Sequence, residues 1–179
     1  MSNPIAGKHI ILGITGSISA YKAAILASKL TQAGAKVDCI LTESATQFVS
    51  PLTFQTVTGR KAYLDQDLWA SEGHVVHIGL AHEADLLLIA PVSANTLAKL
   101  AHGIADNLLS VTALAATCPL VLAPAMDAGM YAHPATQQNV QMLKERGAEC
   151  IGPRPGHLAS GLVGLGRFAE PEAILSRVR

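Results

Sequence analysis

Apolar residues come in short blocks, separated by stretches with helical spacing. His9-Ile10-Ile11-Leu12-Gly13-Ile14 has no polar alternation, as expected of a strand covered on both faces. Ser17 to Gln32 follows with Ala20, Ala23, Ala24, Ala27 and Leu30 at helical intervals, and Gly34 supplies the stop. Lys36 to Thr42 predicts a second strand, Asp85 to Ala90 a third, Pro119 to Ala123 a fourth and Ala148 to Gly152 a short fifth. Helices are predicted over 95–102, 106–116 and 135–146, with a last one through Glu170-Pro171-Glu172-Ala173-Ile174-Leu175. Short apolar strands alternating with helices argue for a parallel sheet with helices on both faces. Right-handed crossovers leave few topologies. The expectation is a single domain over residues 1–179. Its fold is a three-layer, flavodoxin-like (Rossmann-like) α/β arrangement, with five to six parallel strands in the order 2-1-3-4-5. In such a sheet ligands bind at the carboxyl ends of strands 1 and 3, where the winding reverses.

The loop after strand 1 reads Thr15-Gly16-Ser17-Ile18-Ser19-Ala20-Tyr21-Lys22. Gly16 permits a tight turn, and Ser17 and Ser19 stand where a helix begins. Free N–H groups and the positive helix end favour a phosphate there. Ser17 is equally what a simple N-cap requires. No Gly-Lys-Ser/Thr follows, so this is not a Walker loop. Ser19 stands where a dinucleotide fingerprint needs its third glycine, so a mononucleotide fits better than NAD. Glu43, after strand 2, keeps a ribose contact of the NAD type as the lesser alternative. Strand 3 runs into Ala90-Pro91-Val92-Ser93-Ala94-Asn95-Thr96, whose small residues let a flat ring approach and whose polar ones supply donors and acceptors. Asn95 or Thr96 also suits a plain helix cap, as does Asp106 in the later Gly103-Ile104-Ala105-Asp106-Asn107.

Composition narrows the classes. Lys+Arg and Asp+Glu are 13 each, so no basic surplus speaks for nucleic acid. Apolar runs are strand-length, far below the roughly 20 residues that span a bilayer. Met1-Ser2-Asn3-Pro4 does not open a leader, and a cytoplasmic location is expected. Cys39, Cys118 and Cys150 are too scattered for a disulfide framework or a metal site and read as reduced thiols. The mean hydropathy of +0.34 is high for a chain of this size, which suggests that some apolar surface is buried between subunits.

Three motifs carry a family resemblance. Ala90-Pro91-Val92-Ser93-Ala94-Asn95-Thr96 resembles the PASANT motif of the homo-oligomeric flavin-containing cysteine decarboxylases, with Val92 for Ala. Pro124-Ala125-Met126-Asp127-Ala128-Gly129-Met130-Tyr131 is similar to their PxMNxxMW motif, with Asp127 for Asn and Tyr131 for Trp. Ser160-Gly161-Leu162-Val163-Gly164-Leu165-Gly166-Arg167 resembles their substrate flap, which ends in GxGR. The likeness runs from about residue 6 to 178 and is strongest to the branch acting on phosphopantothenoylcysteine in coenzyme A biosynthesis. In bacteria that domain is often fused to a synthetase, and no synthetase follows the last helix here.

The resemblance implies an FMN-dependent carboxy-lyase. The carbon beside the substrate thiolate is oxidised, carbon dioxide leaves an enethiolate, and in the coenzyme A branch a hydride and proton return to give phosphopantetheine. It places Gly16, Ser17, Ser19, Thr42, Ser44, Phe48, Pro91, Ser93, Ala94, Asn95, Thr96 and Asp106 around FMN, with a core position as the alternative for Phe48. Asn107, Ala125, Met126, Asp127, Met130, Ala159, Gly161 and Arg167 fall around a small thiol-carboxylate substrate. His77 matches the family's catalytic histidine and suits thiol deprotonation near neutral pH. His74 is the lesser candidate, and His82, His102, His133 and His157 read as structural or solvated. The resemblance also implies a trimer or dodecamer in which His77 serves a neighbour's flavin, and neither nucleic acid nor membrane as partner.

Two departures bear on the chemistry. Asp127 replaces the residue thought to hold the substrate carboxylate. Either burial raises its pKa so that it donates as Asn does, or the carboxylate is held elsewhere, by Arg167 or backbone amides. Ala159-Ser160-Gly161 stands where coenzyme A enzymes carry Ala-Cys-Gly, and a hydroxyl is a far poorer acid than a thiol. Ser160 is therefore the expected catalytic-position residue with an altered role. An oxidative peptidyl-cysteine decarboxylase stopping at the aminoenethiol, and a non-catalytic flavin-binding regulatory subunit, are the alternatives.

Overall fold

Among the residues described by this computed structural model, 4–69 and 75–178, six parallel strands form one sheet. They are β1 (His9–Ile14), β2 (Lys36–Leu41), β3 (Ala62–Tyr63), β4 (Leu86–Val92), β5 (Leu120–Pro124) and β6 (Glu149–Cys150). Their order is β3-β2-β1-β4-β5-β6, so the five expected strands keep their expected order. β3 adds a two-residue edge pairing only Cys39 and Ile40. The helices are α1 (Ala20–Gln32), α2 (Glu43–Thr46), α3 (Pro51–Thr58), α4 (Val76–Glu83), α5 (Ala94–His102), α6 (Leu108–Ala115), α7 (Ala128–Ala132), α8 (Pro134–Glu145) and α9 (Pro171–Val178). A separate antiparallel hairpin joins β7 (Arg154–His157) to β8 (Val163–Arg167).

Every residue of β1 is buried, because helices cover both sheet faces. Successive side chains alternate between two cores, with Ile10, Leu12 and Ile14 in one and Ile11 in the other. The first core lies under α1, which presents Ala20, Ala23, Leu26, Ala27 and Leu30. Truncating the fully buried Leu30 to Ala would cost about 2–5 kcal/mol. The second lies on the face carrying α4, α5, α6 and α8.

Helix starts differ from the expected ones for local reasons. α1 begins at Ala20 with Ser19, not Ser17, at the N-cap, and Ser17 Oγ instead accepts from the Ser19 amide at 3.2 Å. Ser93, rather than Asn95 or Thr96, caps α5. Asn107, rather than Asp106, caps α6 in a reciprocal box with Ser110, which delays that helix to Leu108. The helical pattern above does not include α2, α3, α4 or α7. α3 does carry its signals: Ser50 caps it, Pro51 opens it, and Gly59 closes it at φ 66°.

At the amino end of the sheet, Asp38 is buried inside β2. Arg60 grips it with two bonds of 2.7 and 2.9 Å, and His9 Nε2 lies 2.6 Å away. The other His9 ring nitrogen faces the Glu83 carbonyl at 3.1 Å. Both nitrogens therefore meet acceptors, which favours the imidazolium and raises the His9 pKa, chiefly through Asp38 and against the opposing effect of burial. Burial alone would raise the Asp38 pKa, but hydrogen bonds from His9 and Arg60 hold it below the usual range.

Candidate functional site

The carboxyl ends of β1 and β4 are joined through one hydroxyl. Thr15 Oγ1 donates to the Pro91 carbonyl at 2.8 Å and accepts from the Ser93 amide at 2.9 Å. Thr15 is 1 % exposed, so this bond pair is shielded from water. Beside it opens a cavity of about 390 Å³, within the roughly 300–1,000 Å³ usual for small-molecule sites. Gly16, Thr42 and Ser44 line it from one side, and Ser93, Ala94, Asn95 and Thr96 from the other. Asp106, Asn107 and Met130 complete the expected residues found there. Gly16 is needed for closeness: a Cβ there would lie 2.5 Å from the Ser44 Cβ.

Three N-cap residues meet in this cavity: Thr42 of α2, Ser93 of α5 and Asn107 of α6. The positive ends of α5 and α6 thus face its interior, an environment that favours an anionic group. Lys99 also lines it, but its Nζ is bound to Asp106 at 2.7 and 2.9 Å, and that pairing holds the Asp106 pKa below the usual range. Glu43 and Asp65 are further acids on the wall. Asp65 Oδ1 accepts from the Leu108 amide at 3.0 Å, a contact that sequence spacing does not reveal.

A second cavity, of about 290 Å³, lies beneath the β7–β8 hairpin. It gathers Ser17, Ser19, Ala125, Met126, Asp127, Ala159, Ser160 and Arg167. Ser17 and Ser19 therefore face this space rather than the first cavity. The hairpin is docked at Gly166, whose carbonyl accepts from the Met126 amide at 3.0 Å. A Cβ at Gly166 would stand 2.1 Å from the Met126 oxygen, so only glycine allows this contact. Lys22 and His157 line the cavity as well, so His157, read as structural or solvated, belongs to its wall. Glu170 links Lys22 (2.9 Å) to Arg167 (2.5 Å) and, mainly through Lys22, is held in its charged form.

Asp127 caps α7, its Oδ1 accepting from the Gly129 amide at 2.9 Å. Its Oδ2 accepts from the Ser160 hydroxyl at 2.8 Å. These two bonds, the Ser160 one first, hold its pKa below the ordinary carboxylate value. The surroundings thus favour the ionised form and oppose the raised-pKa alternative. The two departures from the resembled motifs touch each other.

Four expected site residues line neither cavity. Pro91 is buried in β4 and contributes its carbonyl to Thr15. Phe48 is 49 % exposed, which overturns the core alternative and leaves it outside the cavity wall. Gly161 sits at the hairpin tip with φ 83°. His77 lies on α4, and its Nδ1 is buried without a hydrogen-bond partner among the described residues. His74 and the first three residues, on which the leader reading rests, lie outside the described residues.

Comparison with known proteins places these features in context. The Flavoprotein family model matches residues 1–179. The coenzyme A biosynthesis bifunctional protein CoaBC of Bacillus subtilis (strain 168) is 48 % identical over 168 residues, covering 94 % of this chain and 41 % of that protein. The chain thus spans about two fifths of that relative's length. A probable phosphopantothenoylcysteine decarboxylase of Streptococcus mutans serotype c (strain ATCC 700610 / UA159) is 43 % identical, with 96 % and 97 % of the two chains covered. Among solved structures, a PPC decarboxylase mutant complexed with pantothenoylaminoethenethiol matches with a TM-score of 0.87, 38 % identity and 97 % coverage of both chains. The FMN binding protein AtHal3 matches with a TM-score of 0.84, 38 % identity and coverage of 96 % and 95 %. No helix among the described residues is long and apolar enough to cross a membrane.

Proposed function

We propose, from the premise that this chain belongs to the Flavoprotein family, that it binds FMN and decarboxylates the cysteine carboxylate of phosphopantothenoylcysteine on the route to coenzyme A. The carrying observation is the pair of spaces lined by the loops after β1 and β4 and by the hairpin: a polar cavity ringed by three helix caps, and a second one roofed by the hairpin. The first fits a flavin mononucleotide. Small residues at Gly16 and Ala94 admit a flat ring, while hydroxyls, an amide and two helix N-termini supply donors for polar edges and phosphate. Bound there, FMN supplies the two-electron oxidation that turns a stable carboxylate into a good leaving group.

The chain's own residues bind and orient the substrate. Asp127, ionised and capped by Ser160, is a poor seat for a second carboxylate. The Lys22 and Arg167 side of the lower cavity is the better one, with Glu170 releasing Arg167 as the anion arrives. The hairpin covers this space and limits water. His77, outside both cavity walls, accepts the thiol proton in a neighbouring copy. That reading is supported by the exposed apolar residues next to it in sequence, Val75 and Ile78. The working unit is then a homo-oligomer.

The test is incubation of the FMN-loaded protein with phosphopantothenoylcysteine and, separately, with a cysteine-ended peptide, followed by product mass. Loss of carbon dioxide from the small molecule, with retention of both hydrogens of the saturated thiol, supports the reading. Turnover of the peptide alone would move the chain to the peptidyl branch, and no turnover of either would overturn the assignment.

A further inference from the structure

The hairpin is held at two places of different character. At its base, Gly164 and Gly166 press against Ala128 and Met126 so closely that a Cβ would meet them at 2.7 and 2.1 Å. At its tip, residues 158–162 bond mainly to themselves: Leu158 N–H donates to Leu162 O and Gly161 N–H to Leu158 O, at 2.8 and 2.9 Å. Leu162 and Val163 beside it are 61 % and 69 % exposed, so the apolar contact of the tip is confined to the half-buried Leu158 on the cavity wall. Among the described residues, the tip's one hydrogen bond to the body of the protein is Ser160 Oγ to Asp127 Oδ2.

The roles in that bond follow from chemistry. A carboxylate only accepts, so the single hydroxyl proton of Ser160 is committed to Asp127. Oδ1 of the same carboxylate is fixed by the Gly129 amide, so α7 orients the acceptor before the tip arrives. Both partners line the cavity that the hairpin roofs.

We propose that Asp127 is a positioning residue that latches the hairpin tip through Ser160, so that one charge-assisted hydrogen bond governs access to the lower cavity. It rests on the proposed function only in that the gated cavity is taken as the substrate's. With its proton committed to Asp127, the Ser160 oxygen can act only as an acceptor towards a ligand. Opening the tip requires breaking this one bond, while the base stays docked.

The experiment is amide hydrogen exchange on the flavin-free protein, read at Leu158 and Gly161. Ser160→Ala is expected to speed exchange at these amides about 3- to 10-fold, the factor for a bond of order 1 kcal/mol. Asp127→Ala should do the same, and the double variant should be no faster than the faster single, since one bond is lost only once. Ser160→Thr, which keeps the hydroxyl, should return to the wild-type rate. Wild-type exchange in Ser160→Ala, multiplied effects in the double variant, or failure of Ser160→Thr to restore protection would each overturn the latch. The readout needs neither flavin nor turnover. Latch behaviour in a protein that leaves phosphopantothenoylcysteine unchanged would sink the decarboxylase reading alone, and turnover with an unlatched tip would sink the latch alone.

Discussion

Thr15→Val removes the hydroxyl that joins the two loops of the switch point while keeping the side chain's shape. In the native protein Oγ1 serves the Pro91 carbonyl and the Ser93 amide. The Pro91 carbonyl would keep the Thr15 backbone amide, 3.2 Å away. The Ser93 N–H would lose this partner in a part-buried position on the cavity wall. Leaving such a donor unpaired costs up to about 1–3 kcal/mol. For a chain of this size each kcal/mol lowers Tm by roughly 2–4 °C, so the expected loss is about 2–12 °C. Because the Ser93 loop lines the upper cavity, flavin affinity should also fall at least about fivefold, the factor for about 1 kcal/mol. Guanidinium unfolding and FMN fluorescence titration of wild type, Thr15→Val and Thr15→Ser measure both effects. Serine restores both hydrogen bonds and should recover most of the stability and affinity. A valine variant as stable as wild type, or a serine variant as weak as valine, would refute the role of the Thr15 hydroxyl in joining the two loops.

Gly16→Ala drives a Cβ to 2.5 Å from Ser44 and should lower flavin affinity, with a stability cost of about 1–3 kcal/mol; unchanged titration curves would contradict the close approach. Asp127→Asn keeps an acceptor for Ser160 and removes the negative charge, so turnover should hold or rise; a hundredfold loss would show that the acid itself is required. His9 titrates above its ordinary 6.5 because of Asp38, so its contribution to stability is full below that value and fades as pH rises through the raised one. Urea midpoints from neutral to alkaline pH should therefore fall in wild type relative to His9→Gln, and parallel curves would exclude the pair as the cause.

Uninterrupted apolar blocks made the sheet legible, since β1, β2, β4 and β5 are buried on both faces and their polar residues are confined to His9, Lys36 and Asp38. β3 escaped notice because two residues cannot show a period. α4 escaped because Val75 gives no side-chain cap and its apolar positions circle the helix. The polar loops after β1 and β4 were readable from composition, and they do line cavities at the switch point. Their division was not readable. Ser17 and Ser19 turn to the lower space and Gly16 to the upper, a split of one residue set by where α1 begins. Asp127 and Ser160 are 33 positions apart, so their contact depends on a hairpin docked through Gly166, which no spacing encodes. The buried Asp38 likewise looked like an ordinary strand residue, because its partners His9 and Arg60 are remote in sequence.

A crystal soaked with FMN addresses the central claim directly. The account predicts flavin density in the upper cavity, its ring between the Gly16 and Ser93 loops and its phosphate at helix N-termini. A protein that stays colourless, or a flavin seated away from the carboxyl ends of β1 and β4, would contradict it.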